Sequence, residues 1–340
     1  MNEKRSTIGR PESEVEASPV KSGASWFRIL ITTGLSTLLL VLLFVGTDAE
    51  AVLHQLGSVV LSGWILLVIF MSIFCNVFLS PQKWRLILDG LGHRIPYRTL
   101  VYLKLATDPI IVVLPMRSGE LVRAWYLSRK HRVPLHESVG SIVLELGLTT
   151  ASLVCLSLAG WIAMLAGSLV AGFVCAGSVT AAALLAVAPA GSLLLRILPK
   201  RPSGDSSLRG KLHGLLINMA TIRFSTLTAI VSYSLLIELV EIVNVALIFK
   251  VLSIQVNFAA LLTYIPIVAF VSRLPISLNG LGIRESSLIL TLQGFSRATS
   301  GEMLVAGLMY SFVESIFITI LSIPLTVHLL ATFPVKRDSS

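Results

Sequence analysis

Apolar positions along this chain fall in long unbroken runs, not in the i, i+3, i+4 stripes of a water-facing helix. No charged residue occurs in Ile29–Thr47, Gln55–Gln82, Leu146–Leu195, Val251–Ser272 or Ser315–Val335. A helix needs about 20 apolar residues to cross the hydrocarbon core, so these runs predict membrane spans. Ten-residue strands of alternating polarity, the signature of a membrane barrel, are absent from the sequence. The expected fold class is therefore an all-α polytopic membrane protein. Its expected layout is about six spans plus two re-entrant helical hairpins in an inverted repeat.

Charge placement orients the runs, because Lys and Arg collect on the cytoplasmic side. Lys4, Arg5, Arg10, Lys21 and Arg28 precede the first run, and Thr47–Gly57 carries none. The first run, Ile29–Val45, is too long for a cleavable signal and lacks a small-residue cleavage site. The second, about Val59–Ser80, returns to Lys83, Arg85, Arg94 and Arg98, with Trp84 expected at the interface. Pro81, Trp84 and Arg85 open an amphipathic stretch to Leu91 that predicts an interfacial helix. Tyr97–Pro115 then holds Lys104, Asp108 and Pro109, with basic residues on both flanks. A hairpin that enters and leaves on the cytoplasmic side fits that pattern, and such backbone survives at depth only beside protein or a wet cavity. Ser138–Ala159 leads outward, a turn is expected at Gly160–Ser168, and Leu169–Leu195 returns.

The basic stretch Arg196–Arg223 is then inside, Phe224–Phe249 goes out, and Met303–Phe333 comes back to Lys336 and Arg337. Val251–Gly301 must begin and end outside, and its prolines and glycines predict a second hairpin from the opposite face. Val251–Ser272 is also long enough to span fully, so the two alternatives stand side by side. On this reading 23 of the 27 Lys and Arg are cytoplasmic, the others being Lys250, Arg273, Arg284 and Arg297. The expected organisation is a disordered cytoplasmic tail (1–27), one membrane domain (28–334) and a cytoplasmic tail (335–340). The domain divides into repeat one, about 28–160, and repeat two, about 168–334. The expected location is the cell inner (plasma) membrane, multi-pass, with both termini cytoplasmic.

Composition agrees and narrows the class. Of 340 residues, 54% are hydrophobic and 13% charged, with mean hydropathy +0.85; soluble domains carry about 25% charged residues. That argues against a soluble enzyme, a secreted disulfide scaffold and a disordered chain. A net charge of +9 does not point to nucleic acid, because the basic residues sit between apolar runs and face an anionic leaflet. Cys75, Cys155 and Cys175 lie inside apolar segments, and no Cys or His spacing suggests a metal site or a disulfide. There is no phosphate-binding loop, nucleophile elbow or metalloprotease pattern. No cofactor or metal is expected.

The two hairpins share a local pattern. Leu114 to Arg123 reads LPMRSGELVR, and Leu274 to Glu285 reads LPISLNGLGIRE. Each has Leu-Pro, then Gly, then Arg and Glu opening an apolar helix. Interrupted segments at matching places in two halves point to a transporter's central site. Arg117, Glu120 and Arg123 in the first motif, with Asn279, Arg284 and Glu285 in the second, are candidate substrate-binding residues. Arg binds two phosphate oxygens at once, and helix N-termini add positive potential. The plainer alternatives are arginines snorkelling to the interface and an ordinary i,i+3 pair between Glu120 and Arg123. Asp108, Glu145, Glu238, Glu241 and Glu314 are candidate intramembrane carboxylates. Such groups are expensive in lipid, so they face a cavity or bind neighbouring helices. Glu238 and Glu241 share one helix face.

These motifs, LPMRSGELVRAWYLSRK and LPISLNGLGIRES, resemble signature segments of the flippase-like membrane domain of lysylphosphatidylglycerol synthases. The likeness spans about residues 28–332 and extends to part of an archaeal dolichyl-phosphate glycosyltransferase. Where many relatives continue with a Glu-Arg…Asp pattern, Glu145 is followed here by Leu146-Gly147-Leu148-Thr149-Thr150. The resemblance implies the translocating part of such proteins, without the soluble aminoacyl-transferase domain. It implies a lipid translocator moving a polar-headgroup lipid, such as a phospholipid or polyprenyl-linked sugar, between leaflets by alternating access. The competing expectation is a membrane-embedded enzyme, or an accessory subunit of a lipid or glycan synthase partner. The absent catalytic motifs favour the carrier.

Overall fold

The computed structural model describes residues 63–114, 119–197, 222–274 and 277–332, with 33–34, 36–39, 41–43 and 57 of the preceding segment. Nine helices are named here: α1 Gly63–Gly90, α2 Tyr97–Val113, α3 Glu120–His131, α4 Leu135–Ala166, α5 Leu169–Ile197, α6 Phe224–Val251, α7 Phe258–Ser272, α8 Ile283–Leu292 and α9 Ser300–Thr332. No strand occurs among the described residues. Helices α1, α4 and α9 are long and apolar enough to cross a membrane. Helix α6, at 28 residues, reaches about 42 Å but carries Glu238 and Glu241 near its middle. Large apolar side chains face outward, among them Leu66, Phe70, Val143, Leu165, Val170 and Val327. That surface suits lipid, and the chain is an all-α multi-pass membrane protein.

Local chemistry sets the ends of these helices. Asn257 caps α7 by accepting from the Ala259 amide at 2.9 Å. Thr299 and Glu302 form a reciprocal capping box at the start of α9. Gly167, at φ +63°, ends α4. Helix α1 does not stop at Ser80 as its apolar run suggested; it continues to Gly90 through a π-turn at Cys75–Leu79. Pro81 cannot donate to the carbonyl of Val77, and the Tyr97 hydroxyl fills that acceptor at 2.9 Å. The amphipathic stretch to Leu91 is thus the end of a span, not a separate interfacial helix. Helix α4 likewise runs through Gly160, so the turn falls at Gly167–Ser168.

The short helices pair as two hairpins. Arms α2 and α3 have 17 and 12 residues, and arms α7 and α8 have 15 and 10. Each arm is shorter than the roughly 20 residues a crossing needs. Val251–Ser272 is not one span, because helix breaks between Leu252 and Asn257 before α7 begins. Gly119 starts α3 directly against α2: a Cβ there would lie 2.7 Å from the Ile111 amide nitrogen. Gly280, at φ +81°, plays the matching part in the second hairpin, where a Cβ would lie 2.9 Å from the Ser272 carbonyl oxygen.

The hairpins enter from opposite ends. Helices α1 and α6 are antiparallel: Gly90 lies beside Ile222 just before α6, and Lys250 at its far end stacks on Trp64 at 4.8 Å. The first hairpin leaves from the end of α1 and returns into α4. The second leaves from the end of α6 and returns into α9. Each first arm packs on the last long helix of the other half. Along α2 and α9, Tyr102 meets His328, Thr326 donates to the Ala106 carbonyl, and Thr319 meets Asp108, an antiparallel register. Helix α7 crosses α4 where a Cβ on Gly160 would strike the Thr263 backbone nitrogen, and Ser157 donates to the Thr263 carbonyl at 2.9 Å.

Packing is layered along the long helices. One apolar cluster gathers Val68, Leu156, Ile242, Ile248, Leu262 and Val313. A second gathers Leu88, Leu100, Leu103, Leu127 and Leu329. Polar residues of α1, α4, α6 and α9 lie between these clusters, near the middle of each helix.

Candidate functional site

That middle layer encloses a cavity of about 230 Å³. Both hairpin breaks reach it, through Ile111, Val112 and Leu114 on one side and Ser272, Arg273, Leu274, Ser277 and Asn279 on the other. Among the described residues, five cations line it (Lys83, Lys104, Arg123, Arg273 and Arg284), as do six carboxylates (Asp108, Glu120, Glu145, Glu238, Glu241 and Glu314). So much charge in an apolar layer needs internal partners.

The first half supplies one ion cluster. Glu145 of α4 accepts from Lys104 of α2 at 2.9 Å and from Arg123 of α3 at 3.5 Å. Arg123 also approaches Glu120 at 3.4 Å and stacks on Trp84 at 5.0 Å. Arg123 is 1% exposed, so it does not snorkel to the interface. Trp84 is fully buried and donates to Ser141 at 3.1 Å. The expected interfacial Trp84 is thus a core residue that floors the cluster. Lys83, which served as an orientation marker, is buried and donates to Thr149 at 2.8 Å.

The second half builds its own cluster. Arg273, at the break of the second hairpin, spans Glu238 at 3.2 Å and Glu241 at 3.3 Å on α6. Tyr310 of α9 donates to Glu241 through a short contact. Arg284 donates to Ser311 and Ser315, both at 3.3 Å, and lies over Tyr310 at 4.7 Å. Glu314 accepts from Asn244 at 3.1 Å, and Asp108 accepts from Thr319 at 2.7 Å. Each hairpin is therefore latched by partly buried ion pairs to a long helix of its own half.

Two π-turns frame the cavity. Cys75–Leu79 in α1 and Phe312–Ile316 in α9 meet where Ser72 donates to the Val313 carbonyl at 3.3 Å. Cys75, Asn76, Glu314 and Ser315 consequently turn into the polar layer. Such bulges recur at functional sites because they re-aim side chains without ending a helix.

Of the candidates read from sequence, Glu120, Arg123, Asn279, Arg284, Asp108, Glu145, Glu238, Glu241 and Glu314 all line this one cavity. Glu285 does not. It is fully buried behind the wall, accepting from the Gly282 amide at 2.7 Å and from Ser311 at 2.5 Å. Its role is to cap α8 and hold the hairpin to α9. Arg117, the tails 1–27 and 335–340, and most of the basic stretch between α5 and α6 lie outside the described residues. Sequence reasoning passed over Lys83, Lys104, Arg273 and Tyr310. No group of His, Cys, Asp and Glu among the described residues has the arrangement of a metal site.

An all-helical membrane protein with two inverted hairpins closing on a charged mid-depth cavity is the class these features define. The chain belongs to the lysylphosphatidylglycerol synthase TM region family, whose model matches residues 26–322. A lipid-related role in a membrane fits that family. No curated protein matches the chain closely enough to count as a relative.

Proposed function

We propose that the protein carries the polar headgroup of a lipid between leaflets by alternating access, with the acyl chains remaining in the bilayer. One observation supports this most: two hairpins enter from opposite ends and meet on a single polar cavity. A headgroup at mid-depth needs hydrogen-bond and charge partners that lipid does not offer. The cavity offers both, at the junction of two inverted halves, as carriers with discontinuous helices do.

The latches give the movement its logic. The Lys104 and Arg123 pairs with Glu145 tie the first hairpin to α4, and the Arg273 pairs tie the second to α6. Opening toward one face needs one latch released while the other holds. A charged headgroup that competes for either partner lowers the cost of release on that side. The carrier thus exchanges protein ion pairs for protein–headgroup pairs and avoids bare buried charge.

Reconstitution in vesicles tests the proposal. With a fluorescent phospholipid quenched from outside, the protein is expected to speed leaflet exchange at least about tenfold over empty vesicles. Arg284→Ala is expected to remove most of that gain. Equal rates in empty, wild-type and variant vesicles would contradict it.

A further inference from the structure

Glu314 stands apart from the other glutamates of the cavity. Glu145 is held by Lys104 and Arg123, Glu120 approaches Arg123, and Glu238 and Glu241 share Arg273. Glu314, in the π-turn of α9, has no such cation among the described residues. It is held by the Asn244 amide, whose Nδ2 donates to its Oε1 at 3.1 Å. Glu314 is half-buried, and it lines the cavity. Asn244 lines the same cavity, is 1% exposed, and leaves its Oδ1 without a hydrogen-bond partner. A buried oxygen with no donor is costly. This one belongs to the side chain that already meets Glu314.

The charged and titratable groups facing Glu314 do not supply that donor. From α6 come Glu238 and Glu241, bound to Arg273, with Tyr310 of α9 donating to Glu241. From α8 comes Arg284, whose guanidinium meets Ser311 and Ser315. From α1 comes the Cys75 thiol, and from α2 comes Asp108, held by Thr319. Glu238 and Glu241 repel a charge on Glu314, and Arg284 attracts it without forming an ion pair with it.

We propose that Glu314 and Asn244 form a proton site, and that the proton bound there is the coupling ion of the carrier proposed above. A proton on Glu314 removes a charge that has no paired cation, and the acid hydroxyl is the donor that Asn244 lacks. An amide carries both donors and an acceptor. Half a turn about the Cβ–Cγ bond of Asn244 therefore serves either state, its NH2 donating to the carboxylate or its Oδ1 accepting from the acid. A metal ion fits less well, because no group of His, Cys, Asp and Glu among the described residues has the arrangement of a metal site. The position suits coupling. The π-turn that carries Glu314 meets the π-turn of α1 at Ser72 and Val313, where the two halves touch, and Asn244 ties it to α6. A proton taken up from one face and released to the other changes the charge at that junction once per cycle.

Infrared difference spectra of the purified protein in lipid nanodiscs, taken between acidic and alkaline buffer, read the C=O stretch of protonated carboxyls. Wild-type protein is expected to show an acid band that disappears on raising the pH. Glu314→Gln is expected to remove its largest part, and Asn244→Leu to shift its frequency. Asp89→Asn, at the exposed end of α1, is expected to leave it unchanged. The same band in wild type and folded Glu314→Gln overturns the proton site. In vesicles, a gradient of one pH unit is worth about 1.4 kcal/mol per proton, and so is expected to bias a fluorescent phospholipid up to about tenfold toward one leaflet. Glu314→Gln is expected to lose that bias. A Glu314 band without leaflet exchange above empty vesicles upholds the proton site and defeats the carrier reading. Exchange that ignores the proton gradient upholds the carrier and overturns the coupling. Bias set by a sodium gradient instead overturns the assignment to the proton.

Discussion

At the scale of single residues, stability and site are the same atoms. Arg123 serves Glu120 and Glu145 and covers Trp84. Arg123→Ala would leave two buried carboxylates short of a cation, at a cost of about 3–5 kcal/mol. The expected result is a clearly lowered thermal midpoint in detergent; an unchanged midpoint would contradict the ion cluster. Arg273→Gln is expected to act alike, because Glu238 and Glu241 then lose the cation they share, and only Glu241 keeps a donor in Tyr310. The acidic half of this site was legible, because a carboxylate inside an apolar run is anomalous on its face. The cations were not. Lys83 and Lys104 sit near span ends, where counting rules treat every basic residue as a loop marker. Only the fold reveals that they turn inward. Trp84 failed for the same reason, its neighbours suggesting an interface while its indole points into the core.

At the scale of elements, the tight crossings are set by glycine. A side chain on Gly160 would strike the Thr263 backbone, whereas Gly177 of α5 has nothing within 4 Å. Gly160→Val is expected to destabilise by about 1–3 kcal/mol or more through overpacking, and Gly177→Ala to be close to neutral. Thermal melting of the two variants side by side checks this; equal midpoints would contradict the close α4–α7 contact. The hairpins themselves were legible from Leu-Pro and Gly at matching places. The π-turns were not, because one extra residue in a turn leaves no hydropathy signal. Pro81 shows how they are tolerated, the carbonyl it strands being taken up by Tyr97. Helix ends were also read short at Ser80 and Ala159, since polar residues that end an apolar run continue a helix when protein surrounds them.

For the whole molecule, the inverted order of the two halves was readable from charge alone, and it places each first arm against the other half's last helix. What sequence could not supply is that both breaks open on one chamber. The antiparallel register also predicts proximity across the halves. Cysteines at Ser72 and Val313, with Cys75, Cys155 and Cys175 replaced by Ser, are expected to cross-link with a short bifunctional reagent. No cross-link would contradict the meeting of the two π-turns. The most direct test asks whether the hairpins are entered from opposite faces. In the same cysteine-free background, Arg94→Cys marks the turn into α2 and Gln255→Cys the turn into α7, both exposed. A membrane-impermeant thiol reagent applied to sealed, uniformly oriented vesicles is expected to label one from outside and the other only after permeabilisation. Labelling of both from the same side would contradict the inverted hairpins and the chamber between them.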